Sequence, residues 1–178
     1  MTQLTDKTDA TLTQSPILTD TPFVEVTKEF NAPIDQVWKA WSDADLIKQW
    51  WGPENYTSPS TTTDFRIDGK YLFAMESPEG KVLWSTGFYN EILPFKLIVC
   101  TDQICDHKGN PISPEEADMD EEWEDVGTLI FSVKFEELGN DRTRIQLVHE
   151  GIPASMHDEC VEGWSTSLDK MKVLVEKH

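Results

Sequence analysis

Cysteine and basic residues are scarce in this chain of 178 residues. The three cysteines are an odd number and show no Cys-x-x-Cys spacing, so no disulfide framework is predicted and a reducing, cytoplasmic location is favoured. Only 15 Lys and Arg residues stand against 33 Asp and Glu residues, which gives a formal net charge of −18. A surface of this sign repels phosphate backbones and anionic lipids, so neither nucleic acid nor a membrane is expected as a partner.

Long apolar runs and motifs of catalytic or metal-binding chemistry are also missing. No run approaches the ~18 apolar residues of a membrane helix, and the N-terminus lacks the apolar centre of a secretory signal. The four histidines stand at no metal-binding spacing, and there is no Gly-rich phosphate loop, nucleophile elbow or zinc pattern. Asp118, Asp120 and Glu122 lack the glycine turn of a calcium loop. We therefore expect no metal, no cofactor and no catalytic residue.

The chain divides into a tail and one domain. Residues 1–22 are rich in Thr, Asp and Gln and are predicted to be a flexible tail, so the domain spans residues 23–178. FVEVTKEF alternates with a period of two and carries charges, which is typical of an edge strand. Pro33 then suits the first turn of a helix. Ile34, Val37, Trp38 and Trp41 follow at helical spacing.

Two adjacent tryptophans, in the stretch LIKQWWGP, end a second short helix. Asp43 is its predicted N-cap, and Gly52-Pro53 stops it. Trp50 completes the apolar face of this helix, whereas Trp51 sends a second indole in another direction because neighbouring helical residues do not share a face. Two interpretations of Trp51 stay open: it is a packing wedge, or it lines a cavity.

Strands dominate the middle of the sequence. In KVLWSTGFYNEI the alternation places Trp84, Thr86 and Phe88 on one face and Tyr89 on the other. The turns that separate the strands are predicted at Asp68-Gly69, Pro78-Glu79-Gly80 and Gly139-Asn140-Asp141.

A long acidic connection, residues 102–125, interrupts the strands. Connections of this length are uncommon inside a compact domain, and they tend to be functional or mobile. Its second half carries the acids Glu115, Glu116, Asp118, Asp120, Glu121, Glu122, Glu124 and Asp125.

One long amphipathic helix, roughly residues 156–176, closes the chain. Cys160, Trp164, Leu168, Met171 and Val175 recur along it at spacings of three and four and form a single apolar stripe. A run of strands with segregated helices predicts an α+β fold, in which the long helix lies across an antiparallel sheet.

The stretches NAPIDQVWKAWSDADLIKQWWGP, GFYNEILP and GWSTSLDKMKVLVE resemble one known family. Over roughly residues 23–177 the chain is similar to homologues of the activator of the ninety-kilodalton heat-shock chaperone ATPase, in the START-like superfamily. The resemblance implies a helix-grip fold: a curved antiparallel sheet wrapped around the long C-terminal helix, with two short helices after the first strand. It also implies a cavity between sheet and helix, suited to an apolar ligand.

The residues that would line such a cavity follow from this resemblance. The same alternation describes an ordinary packed core, so both interpretations stay open. For His149, on the apolar face of its strand, the alternatives are a hydrogen-bonded core histidine and a pocket residue, and His157 is a weaker candidate. The candidate ligand-binding residues are Trp51, Tyr71, Phe73, Met75, Trp84, Phe88, Phe131, His149, Trp164, Leu168 and Met171.

The sequence is compatible with three functions, which follow from the most to the least favoured. The first is non-enzymatic binding of a small apolar ligand in the cavity. The second is a protein-interaction module, a co-chaperone-like factor of the stress response as the family name implies, whose acidic 102–125 connection meets a chaperone or another partner with a basic surface. The third is a cyclase or hydrolase, as some superfamily members are. It ranks last because the sequence offers no acid–base pair.

Overall fold

The computed structural model describes residues 22–177, so the tail predicted for residues 1–22 falls, apart from Pro22, outside the described residues. Seven strands in the described part of the chain form one antiparallel sheet in the order β1-β7-β6-β5-β4-β3-β2. The strands are β1 (Phe23–Phe30), β2 (Thr61–Thr63), β3 (Lys70–Glu76), β4 (Val82–Leu93), β5 (Leu97–Cys105), β6 (Leu129–Gly139) and β7 (Arg142–Glu150). The helices are α1 (Ile34–Ser42), α2 (Ala44–Trp50) and α3 (His157–Val175).

The first strand lies at an edge of the sheet, as its charges predict. Among residues 22–177, β1 pairs only with β7, from Phe23 opposite Glu150 to Phe30 opposite Thr143. The turn between β6 and β7 is also where the sequence places it, because Asn140 and Asp141 have φ values of 52° and 54°. Asn and Asp tolerate this left-handed conformation better than other non-glycine residues, which explains the hairpin.

The two short helices pack against each other through tryptophan. Asp43 caps α2 as predicted: its Oδ1 accepts hydrogen bonds from the backbone N–H groups of Asp45 and Leu46, at 2.9 and 3.3 Å. Trp50 is fully buried, and its Nε1 donates to the Ala40 carbonyl at 2.9 Å. The chain leaves the helix at Trp51, whose φ of −63° and ψ of 132° are extended. The two indoles therefore point in different directions.

The long helix is fixed at its C-terminal half. Lys172 Nζ donates to the Glu29 carbonyl of β1 at 2.7 Å, and Lys28 pairs with Asp169. Along the predicted stripe, Leu168, Met171 and Val175 are buried, whereas Cys160 and Trp164 are half-buried. The α+β helix-grip architecture predicted from the sequence is confirmed, and the N-terminal half of α3 packs less tightly than the rest.

The predicted inward face of β4 is wrong. Phe73 and Tyr71 of β3 stand opposite Ser85 and Gly87, and residues paired in this way project to the same side of a sheet. Tyr89, two positions after Gly87, shares that side and is 3% exposed, whereas Phe88 is 50% exposed on the other side. The prediction is therefore wrong for Phe88, whereas Trp84, near the start of β4, still borders the cavity.

The acidic connection is displaced from its predicted bounds. β5 continues to Cys105, so the connection begins at Asp106 and ends before Leu129. It contains one short 3-10 turn, Glu121–Trp123. Among the described residues, no helix has the length and apolar character needed to cross a membrane.

Candidate functional site

A cavity of about 370 Å³ lies beneath the N-terminal half of α3. Its floor comes from β3, β4 and β5, and its sides come from the α2 exit, β7 and the connection between β5 and β6. The volume falls within the roughly 300–1,000 Å³ range of small-molecule sites. Aromatic and methionine side chains supply much of the wall: Trp51, Met75, Met119, Trp123, Trp164 and Met156.

The second of the paired tryptophans lines this cavity. Trp51 contacts the rings of Phe73 and Trp164 edge to face, with centroid distances of 4.8 and 5.6 Å. Gly52 makes the position possible, because its φ is +95° and a Cβ there would lie 3.2 Å from Met75 Cβ. Trp50 thus lies in the core, whereas Trp51 both packs against the core and lines the cavity, so each of the two interpretations describes part of its position.

The segment 113–127, which we call the cover, closes one side of the cavity. Its apolar residues Met119, Trp123 and Val126 line the cavity. Its acids are all exposed, and only two of them, Asp118 and Asp120, also border the cavity. The exposed acids are Glu115, Glu116, Asp118, Asp120, Glu121, Glu122, Glu124 and Asp125. The sequence analysis missed these three apolar residues, although their spacing of four and three within an acidic run is a helical signal.

One histidine connects the cavity wall to the long helix. His149 is 6% exposed, and its Nδ1 lies 3.1 Å from Trp164 Nε1. An indole nitrogen can only donate, so Nδ1 is the acceptor and the imidazole carries its proton on Nε2. That Nε2 has no hydrogen-bond partner in the described part of the chain, although Asp102 Oδ2 lies 3.4 Å away. The separation of Nε2 and Oδ2 is short enough for an ion pair, but the two groups are not aligned for a hydrogen bond.

Asp102 is the polar residue that sequence reasoning missed. The predicted acidic connection starts at Asp102, but Asp102 belongs to β5 and stands opposite Leu129. Its Oδ1 accepts a hydrogen bond from Tyr71 Oη at 2.9 Å, and that hydroxyl also lies 2.8 Å from the Thr101 carbonyl. Burial, and then the charge of Asp102, raise the pKa of Tyr71 well above its usual value, so this hydroxyl stays a neutral donor.

The predicted binding residues fall into three groups. Those that line the cavity are Trp51, Met75, Trp84, His149 and Trp164. Those that lie buried in the adjoining core are Tyr71, Phe73, Phe131, Leu168 and Met171. Phe88 belongs to neither, because it is exposed on the far side of the sheet. The role of the first two groups in binding stays a prediction.

None of the three cysteines forms a disulfide bond. All three cysteines are free, with Cys100 and Cys105 buried and Cys160 half-buried at the cavity. Burial raises the pKa of Cys160 to about 11, which keeps this thiol protonated. Within residues 22–177, no three His, Cys, Asp or Glu residues converge in a way that could hold a metal ion.

Comparison with known proteins identifies the family. The profile described as "Activator of Hsp90 ATPase homolog 1-like protein" matches residues 31–176. The chain belongs to this family. The resemblance noted in the sequence is thereby confirmed, from the turn that follows β1 to the end of α3. Among curated proteins, none matches the chain closely enough to count as a relative.

Solved structures of this activator-homologue fold come from several bacteria. A protein of Chromobacterium violaceum is 24% identical over 88% of this chain and 98% of its own, with a TM-score of 0.71. The AHSA1 protein of Silicibacter pomeroyi is 20% identical over 86% of this chain and 96% of its own, with a TM-score of 0.67. At these identities the likeness establishes a shared fold.

Proposed function

We propose that this member of the activator-homologue family binds a small apolar molecule in the cavity under α3. The observation that carries the proposal is the cavity itself, about 370 Å³ in volume and walled by tryptophan and methionine side chains. Aromatic and methionine side chains suit flat apolar ligands, because the rings offer large contact surfaces and thioethers adapt in shape. A packed core would leave no such volume beside residues that remain half-buried.

The hydrogen bonds of His149 favour binding over catalysis. A general base needs a lone pair directed at the proton that it removes. The lone pair of His149 Nδ1 already receives the Trp164 N–H, and Nε2 carries a proton on the side of Asp102. Neither ring nitrogen offers a lone pair to the cavity, so His149 does not act as a general base there, and this ranks a cyclase or hydrolase that depends on a histidine base last.

Filling the cavity tests the proposal. Gly163 lines the cavity, and a Cβ there meets only Pro53 Cγ at an ordinary 3.5 Å, so Gly163→Phe places a ring in the cavity without a backbone clash. We expect the neutral fluorescent probe N-phenyl-1-naphthylamine to bind the natural protein and to bind the variant at least tenfold more weakly. Val173→Phe, on the same helix but 63% exposed, is the matched control. Equal affinity in a folded Gly163→Phe protein would remove the cavity as the site.

Native mass spectrometry of gently purified protein would identify a natural ligand. A bound molecule adds mass that denaturation removes, and this mass indicates the ligand's chemical class. The cytoplasmic location stays a prediction that rests on three free thiols.

A second candidate function rests on the outer surface of the cover. Its eight exposed carboxylates form an acidic surface that complements a partner with a basic surface, such as the chaperone ATPase to which the family name refers. Changing Glu121, Glu122 and Glu124 together to Gln is then expected to weaken activation of that ATPase and its dependence on salt. The control triple, Glu79, Glu91 and Glu137 to Gln, removes the same charge from exposed positions elsewhere. Equal activation by both triples would argue against the cover as the contact.

A further inference from the structure

Two polar atoms at the wall of the apolar cavity lack hydrogen bonds. Asp102 and His149 both line the cavity, and their side chains are 17% and 7% exposed. Asp102 Oδ1 is occupied by Tyr71, but within residues 22–177 its Oδ2 receives no hydrogen bond. His149 Nε2 has a proton to donate and no acceptor in hydrogen-bond alignment. The buried Nε2–H of His149 costs free energy in this state, which a ligand that satisfies it would recover, whereas Asp102 Oδ2 is partly exposed and would exchange solvent for the ligand.

The chemistry of the two atoms restricts the ligand's polar group. Asp102 Oδ2 needs a donor, and His149 Nε2–H needs an acceptor. A hydroxyl group supplies one donor and two acceptor positions, whereas an ammonium group only donates and a carboxylate only accepts. A carboxylate beside Asp102 is further disfavoured because it would approach a second carboxylate, and Lys81, a cation on the cavity wall, is already paired with Asp118. The two protein atoms are 3.4 Å apart, so one oxygen can contact both once the imidazole shifts enough to open Nε2, which has less than 1 Å² of accessible surface in this structure.

We infer that the ligand is an apolar molecule with one hydroxyl group, which donates to Asp102 Oδ2 and accepts from His149 Nε2–H. This inference rests on the proposed function, since it assigns the polar contact of the same cavity. The partners on either side fix the two anchoring atoms: Tyr71 holds Asp102, and Trp164 holds His149 in the tautomer that donates from Nε2. The cavity would thus accept alcohols or phenols and discriminate against fatty acids and amines.

A series of probes with one apolar body tests this inference by calorimetry at pH 7. The probes are naphthalene, 2-naphthol, 2-naphthoate and 2-naphthylmethylamine. We expect 2-naphthol to bind about tenfold more tightly than naphthalene, the typical effect of one charge-assisted hydrogen bond, and 2-naphthoate to bind most weakly. If naphthalene or the amine binds as tightly as 2-naphthol, the hydroxyl assignment is overturned while the apolar cavity stands. If no probe binds, the proposed function itself fails.

The variant Asp102→Asn separates the anchor from the cavity. Asparagine keeps an oxygen for the Tyr71 hydroxyl but removes the negative charge, so the fold is expected to be retained. We expect most of the tenfold preference for 2-naphthol over naphthalene to disappear, and 2-naphthoate to gain affinity. Glu91→Gln, an exposed position on β4, removes one charge away from the cavity and should leave the series unchanged. An unaltered preference in Asp102→Asn would show that this carboxylate is not the anchor.

Discussion

Trp164 Nε1 donates a hydrogen bond of 3.1 Å to Nδ1 of His149, and this bond joins the loosely packed half of α3 to β7. The two rings meet edge to face, with centroids 5.8 Å apart and planes at 74°. Since both residues line the cavity, the same contact fixes the helix over the sheet and sets the proton position on the imidazole. The contact of this half of α3 with β7 and the tautomer of His149 therefore depend on one pair of side chains.

Replacing Trp164 with Phe tests the contribution of this bond. The smaller ring keeps part of the aromatic contact but leaves His149 Nδ1 without a donor, so we expect a loss of about 1–2 kcal/mol in the free energy of unfolding. Urea denaturation measures this loss. A double-mutant cycle with His149→Phe isolates the pair, since the second substitution should cost less once the first is present. Strictly additive losses would show that the two side chains contribute independently.

The cover is tethered to the β3–β4 hairpin through Lys81. Its Nζ contacts the carbonyl of Asp118 and lies 3.4 Å from Asp118 Oδ2. Lys81→Met should raise amide hydrogen exchange in residues 113–127 by up to about fivefold, because an exposed ion pair contributes at most about 1 kcal/mol and local opening depends on it. Global stability should not change. Lys134→Met, at an exposed position on β6, is the control, and unchanged exchange in the cover would show that Lys81 does not hold it.

Cys160 gives a pH-dependent measure of the cavity. Burial raises the pKa of this thiol to about 11, and only the thiolate reacts with iodoacetamide. At pH 8 we expect alkylation of Cys160 to be roughly a hundredfold slower than in the urea-unfolded chain, and to accelerate as the pH rises toward 11. Peptide mass spectrometry follows the reaction at each cysteine. Equal rates in the folded and unfolded chains would show that the thiol is not enclosed.

Local patterns were sufficient to predict the α+β class, whereas the helix-grip arrangement came from the family resemblance. Asp43 caps α2 and Asn140-Asp141 turns β6 into β7, both as predicted, because these residue types favour those backbone conformations wherever the chain places them. The period of three and four in α3 likewise identified its apolar stripe. These patterns depend only on residues close in sequence, so they can be recognised without knowledge of the tertiary fold.

The site itself was only partly predictable. An alternating strand has two candidate inner faces, and in β4 the register with β3 selects the face of Ser85 and Gly87 over that of Phe88, although Trp84 still borders the cavity. Asp102 looked like the start of an acidic loop because nothing local marks it as a strand residue. A cavity depends on how closely α3 approaches the sheet, and side-chain alternation is the same for a filled core and a hollow one.

Gly87 marks a close backbone approach that places Asp102 in the site. A Cβ at this position would lie 1.8 Å from the carbonyl oxygen of Thr101, the residue before Asp102, so the backbone of β4 or β5 would have to move. We expect Gly87→Ala to lower the free energy of unfolding by about 3 kcal/mol or more, in the range of severe strain or overpacking. In a variant that still folds, the preference for 2-naphthol should fall because Asp102 is displaced.

Gly127→Ala is the matched control, since a Cβ there meets nothing within 4 Å, and its effect should stay within about 1 kcal/mol. Comparable urea midpoints for the two variants would contradict the close approach of β4 and β5, and with it the placement of Asp102 at the cavity.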